Sequence, residues 1–174
     1  MSKLVLIDSQ ILIWGVKGFA SPGQEDNIAT AKLFMQWISD NDYKILMPLP
    51  QLVELASYAP PEHQHVIYSM FTTKGFQVVP FDELTTQKCS ELLHKSLNEQ
   101  ELVVYRADNK VPKAKIKFDC MLAASAIVRG AVKIFSNDND LKKFSCGQID
   151  VSEMPKIVHD LNLFGDVIST KIIH

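Results

Sequence analysis

The chain has 174 residues, of which 47% are hydrophobic, 22% charged and 9% aromatic, an ordinary globular composition with length enough for one buried core. Eighteen Lys and Arg stand against 20 Asp and Glu for a formal charge of -2, which excludes a broadly basic nucleic-acid coat. Contact with a polyanion would need a local basic patch, or a metal ion that reverses the sign of an acidic site.

Leu4-Val5-Leu6-Ile7 is a short, continuous apolar run of the kind expected of a strand buried on both faces, and Asp8 stands at its end. A helix is expected to begin over Ile11 to Val16, and a second over Asn27 to Ser39, where Ile28, Ala31, Phe34, Met35 and Ile38 recur at helical spacing. Lys44 to Met47 reads as the second strand. Pro50 suits the first turn of a helix carrying Leu52, Val53, Leu55 and Ala56 with Glu54 among them, and Pro60-Pro61 stops it. His63 to Thr73 reads as a helix, Phe76 to Phe81 as the third strand, and Asp82 as the cap of a helix through Leu84, Leu92, Leu93 and Leu97.

Asn98 to Lys117 reads as irregular. Phe118 to Val128 is small and apolar on nearly every side, as a helix packed closely on a sheet should be, and Gly130 ends it. Ala131 to Phe135 is the fourth strand, Ser136 to Asp140 a polar loop, Leu141 to Phe144 one helical turn and Ile149 to Val151 a short edge strand. Alternation of apolar strands with helices predicts a three-layer α/β domain. The three cysteines, Cys89, Cys120 and Cys146, are odd in number and not closely spaced, so reduced thiols and a cytoplasmic location are expected. No signal peptide or membrane span is expected either.

In an open parallel sheet, loops and helix N-termini converge beyond the carboxyl ends of the strands. Asp8 follows the first strand, Asp138 and Asp140 follow the fourth, Asp119 opens the small-residue helix and Glu54 lies on the helix after the second strand. Singly, each has an ordinary use: Asp119 complements a helix dipole, Asp138 or Asp140 caps a turn, and Glu54 lies on an exposed face. Together they would repel one another unless a cation neutralised them, and all-oxygen ligands favour Mg²⁺ or Mn²⁺. Arg106, Lys110, Lys113, Lys115 and Lys117 crowd the segment before Asp119, either to position phosphates or as a solvated loop. For Trp14 and Tyr105 packing is the expected role. His63 and His65, two residues apart, are expected on different faces of the surface.

The segment Leu4 to Ile13 resembles the opening of PIN domains, in which a hydrophobic strand ends in Asp followed by Ser or Thr. Phe118-Asp119-Cys120-Met121-Leu122-Ala123-Ala124 looks like their third acidic motif, Ser136-Asn137-Asp138-Asn139-Asp140-Leu141 is similar to their Thr-Asn-Asp-x-Asp-Phe segment, and Glu54 fits the second acidic position. Gln10 stands for the frequent Asn and Leu141 for the usual Phe, and Asn98 to Lys117 is longer than in compact toxin-like members. The resemblance implies one PIN-like domain over residues 1–174, an α/β/α fold with a central, mostly parallel sheet of four to five strands. It also implies a Mg²⁺- or Mn²⁺-dependent nuclease, an endoribonuclease acting on single-stranded RNA.

The implied catalytic set is Asp8, Glu54, Asp119 and Asp138, with Asp8, Asp119, Asp138 and Asp140 as metal ligands. Ser9, Arg106, Lys113, Lys115 and Lys117 are the implied substrate-binding residues. Glu54 would bind a second ion or orient water, and Asp140 would do either or cap the Leu141 turn. A toxin with an antitoxin partner, an RNA-processing enzyme, a homodimer and an inactive PIN-like binding module all remain open. A haloacid-dehalogenase-like phosphatase is disfavoured because Gln10 stands where its second Asp is needed, and a receiver domain because Asp8 is alone.

Overall fold

Five parallel strands form the centre of the structure, a computed structural model that describes residues 2–161 and 167–173. They are β1 (Lys3–Ile7), β2 (Tyr43–Pro48), β3 (Phe76–Val79), β4 (Lys133–Phe135) and β5 (Val151–Ser152), in the order β3-β2-β1-β4-β5. The helices are α1 (Ser9–Leu12), α2 (Asp26–Asp40), α3 (Leu49–Ser57), α4 (Gln64–Phe71), α5 (Glu83–Asn98), α6 (Gln100–Asp108), α7 (Lys113–Val128) and α8 (Asn139–Phe144).

The period of two along a strand sends neighbours to opposite faces. Val5, Ile7, Ile45 and Met47 meet Leu12, Phe34, Leu52 and Phe71 from α1 to α4 on one face. Leu6, Leu46 and Ile134 meet Leu92 of α5, Ile116, Ala123 and Ala124 of α7 and Phe144 of α8 on the other. The fold is therefore three-layered, α/β/α, as the apolar strands predict. A fully buried Leu or Ile such as Leu6, Ile7 or Leu46 contributes about 1.5–3 kcal/mol relative to exposure. Ala123, Ala124 and Ala126 of α7 are fully buried in this second core, small enough for the helix to pack close to the sheet.

Several boundaries depart from expectation. The first helix opens at Ser9 and continues as a π-helical turn over Ile13–Lys17. That wide turn crosses α2 at Gly15, where an added Cβ would lie 2.7 Å from Met35 Cγ and 3.2 Å from the Ala31 carbonyl oxygen. The third strand ends at Val79, because Pro80 has no N–H to continue the ladder. The span expected to be irregular is largely helical: α6 occupies Gln100–Asp108, and α7 starts at Lys113, with extended Pro112 before it. Proline before the first turn is favourable for helix entry, and Lys and Ala are good helix formers. No element is expected beyond Val151 from the sequence, yet β6 (Lys156–Leu161) and β7 (Val167–Ile173) pair antiparallel as a two-stranded sheet, and Ile157 of β6 joins the first core. Among the described residues no helix is long and apolar enough to cross a membrane.

Candidate active site

The chain runs from β1 outward to β2 and β3, then returns to the other side of β1 for β4, so the order reverses between β1 and β4. A crevice opens at such a reversal, and both flanking strands end there in acid-bearing loops. Ile7 is in register with Phe135, and the Asp8 N–H donates to the Phe135 carbonyl at 2.9 Å. This places Asp8 against Ser136, which is 3% exposed. The Ser136 hydroxyl donates to Asp8 Oδ2 at 2.6 Å and accepts from the Asp138 N–H at 3.0 Å. One serine thus couples the two acidic loops. Its motif position is visible in the sequence, but its hydrogen bonds depend on the register of β1 and β4.

Glu54 reaches the crevice through α3. Gln51 of that helix is fully buried, and its Nε2 donates to the Ile7 carbonyl at 2.7 Å, which clamps α3 to the end of β1. One turn later Glu54 is half-buried and accepts a hydrogen bond from the Ser9 hydroxyl. Gln51 was not a sequence candidate. Its only signal was a polar residue at a core-facing helical position.

Asp138 caps α8, accepting from the Asp140 N–H at 2.8 Å, and Asp140 accepts from the Tyr105 hydroxyl at 2.8 Å. Tyr105 also stacks edge-on against Phe144, so it packs as expected and additionally holds an acidic residue. Because α7 begins at Lys113, Asp119 lies in its second turn rather than its first, and Lys115 lies four residues before it on the same face. The Lys115 ammonium is 3.4 Å from Asp119 Oδ2 and 2.8 Å from Asp140 Oδ2, and it also donates to Asp138.

Burial and neighbouring charge shift the titration of these groups. Burial raises the pKa of Asp8 above the ordinary carboxylate range, against the lowering effect of the Ser136 hydrogen bond. Burial likewise raises Glu54, partly offset by Ser9, with Asp8 adding repulsion. Asp119 is pushed up to about 7, first by burial, with Lys115 opposing and Asp138 and Asp8 adding to the rise. Burial works against the Lys115 charge, but hydrogen bonds to Asp138 and Asp140 outweigh it and hold the ammonium protonated. Tyr105 is raised to about 12 by burial and by Asp140.

A cleft of about 650 Å³ opens over this region, lined by Asp8, Ser9, Gln10, Trp14, Glu54, Tyr58, Tyr105, Asn137, Asp138 and Asp140 among others. The basic residues divide. Lys115 faces the carboxylates, Lys113 and Lys117 are exposed, and Arg106 is partly exposed. Lys17 donates to the Leu55 carbonyl at 2.9 Å and lies over the Tyr58 ring. His63, His65 and His94 are exposed; His174 and the side chain of His159 lie outside the described residues. Cys89, Cys120 and Cys146 are free thiols.

Among the described residues no three His, Cys, Asp or Glu side chains are grouped as a ready-made metal holder. The donor chemistry nevertheless suits a hard divalent ion: all are carboxylate oxygens. Burial keeps the pKa of Asp8 and Asp119 raised even with Lys115 beside them, and Asp138 adds to the rise.

No family model matches the chain, and no curated protein matches its sequence. A solved structure of VapBC2 from Rickettsia felis, bound to a DNA fragment from their promoter, matches with a TM-score of 0.59. The alignment covers 86% of this chain and 98% of that chain at 14% identity. The fold is PIN-like. At 14% identity the likeness is one of fold alone.

Proposed function

We propose that this chain, as one domain over residues 1–174, is a divalent-metal-dependent endoribonuclease that hydrolyses phosphodiester bonds of single-stranded RNA in the cytoplasm. The observation that carries the reading is the coupling of Asp8 to Asp138 through Ser136 at the sheet reversal, with Asp119 and Glu54 alongside. Asp8, Asp119 and Asp138 would hold Mg²⁺ or Mn²⁺, with Asp140 beside them. Bound there, such an ion supplies charge neutralisation at the phosphoryl oxygens and acidifies a water.

The chain's own groups do the rest. Ser9 fixes the Glu54 carboxylate at the cleft wall, where it orients the attacking water or accepts its proton. Ser136 fixes Asp8, and the α8 cap fixes Asp138. Arg106 of α6 and the exposed Lys113 and Lys117 of α7 would bind phosphates of the RNA beyond the acidic cleft. The VapBC2 neighbour supports a toxin role with an antitoxin-like protein partner. The exposed Leu49, Val53 and Tyr58 near Glu54 offer apolar contact area for that partner or for a second copy.

The test is cleavage of an unstructured RNA by purified protein with Mg²⁺ or Mn²⁺. Activity is expected to disappear with chelator and in Asp8→Asn or Asp119→Asn variants whose circular dichroism is unchanged. Tight RNA binding without cleavage at any concentration of either ion would instead establish an inactive binding module.

A further inference from the structure

Of the α7 lysines Lys113, Lys115 and Lys117, Lys115 is the one with ion pairs among the described residues, and its ammonium touches three carboxylates from two separate elements: Asp119 of α7, and Asp138 and Asp140 at the start of α8. We propose that Lys115 is the resident cation of the acidic site, standing between these carboxylates in the metal-free chain and leaving when a divalent ion binds. This rests on the metal-dependent reading above and assigns that site its internal competitor.

The charges and the geometry agree. Asp8, Glu54, Asp119, Asp138 and Asp140 present five carboxylates to one region, and Lys115 supplies a single positive charge. A divalent ion supplies two, and it cannot share the same oxygens with an ammonium at hydrogen-bond distance without strong like-charge repulsion. Lysine suits a displaceable role, because its charge is a compact point on a flexible stem, whereas a planar guanidinium would lock into bidentate pairs. Its side chain is 36% exposed, so it has a route to solvent without unpacking α7. The backbone of α7 is anchored independently by Ile116 and Cys120, both fully buried; displacement therefore needs only rotamer changes in Lys115.

Competition also makes metal binding conditional. The ion must replace three ion pairs, so its affinity is lower than the carboxylates alone would give, and free metal concentration becomes a control on the site.

Calorimetric titration of chelator-stripped protein with Mn²⁺ tests this. Lys115→Gln should bind Mn²⁺ at least about tenfold more tightly than wild type, since the charge removed lies in direct contact with the site. Lys142→Gln, which removes an exposed charge on neighbouring α8, should change affinity less than about twofold. In unsubstituted protein, Mn²⁺ should speed acylation of Lys115 by an amine-specific reagent, read by peptide mass spectrometry. Lys88, paired with Glu91 on α5, should be unaffected. The acylation measurement decides the matter even where Lys115→Gln folds poorly. Metal binding in wild type with equal or weaker affinity in Lys115→Gln, or no change in Lys115 acylation, overturns the proposal and leaves the nuclease reading standing. Failure of both proteins to bind Mn²⁺ overturns the two together.

Discussion

Asp119 is a side chain whose burial costs the fold and whose carboxylate the proposed site would use. With 6% of its surface exposed, it holds a carboxylate beneath Lys115 and near Asp8 and Asp138. Desolvation and like charge both disfavour its ionised form, and the Lys115 contact only partly compensates. Replacement by Asn keeps the shape and removes the charge. In chelator at pH 8, Asp119→Asn is therefore expected to melt higher than wild type by differential scanning calorimetry. Added Mn²⁺ should raise its melting temperature less than that of wild type, because a ligand stabilises by mass action only in proportion to its binding. A lower melting temperature in chelator with an intact response to Mn²⁺ would make Asp119 a structural residue.

At the scale of the element, helix starts decide which side chains meet. Asp82 caps α5 as its sequence position suggests: Thr85 donates to its Oδ1 from the hydroxyl at 2.7 Å and from the backbone N–H at 3.0 Å. These Thr85 bonds, and then the Arg129 guanidinium, bring its pKa down to about 2. A carboxyl lowered on folding stabilises above its unfolded pKa of about 4 and loses that contribution as pH falls toward the folded value. The stability difference between wild type and Asp82→Ala is thus expected to be constant above pH ~5 and to shrink between pH ~4 and ~2, read by urea unfolding at each pH. A constant difference throughout would mean that the carboxylate charge is irrelevant to the cap. The start of α7 bears on the proposed site. Beginning at Lys113 rather than Phe118, it aligns Lys115 with Asp119 and leaves Lys113 and Lys117 exposed.

Across the whole molecule, the proposed reaction asks a chain of net charge -2 to accommodate a polyanion, so binding would depend on where the charges lie. If Lys113 and Lys117 each neutralise a phosphate, their joint replacement by Gln weakens single-stranded RNA binding and flattens its dependence on salt, by about 1.4 in the slope of log affinity against log salt. Fluorescence anisotropy over a salt series measures this. An unchanged slope would assign those lysines to ordinary solvated surface. Their exposure predicts little effect on thermal stability.

Local patterns determined the strands, the acidic ends of β1 and β4, the Asp82 cap and the small-residue face of α7, because each is written in neighbouring residues through the periodicity of burial or the chemistry of a cap. The α6 segment and the early start of α7 were less legible, since polar and charged residues form a helix there under the support of Leu102, Val111 and Ile116 in the packed molecule. The antiparallel pairing of β6 with β7 joins residues as far apart as Lys156 and Ile173, so no short stretch of sequence announces it. The hydrogen bonds from Ser136 to Asp8 and from Gln51 to the β1 carbonyl, and the ion pairs of Lys115, join residues that lie 128, 44 and up to 25 positions apart. Contacts of that kind depend on strand order, register and helix phase together, so they were decided by the assembled tertiary structure and not by any stretch of the chain.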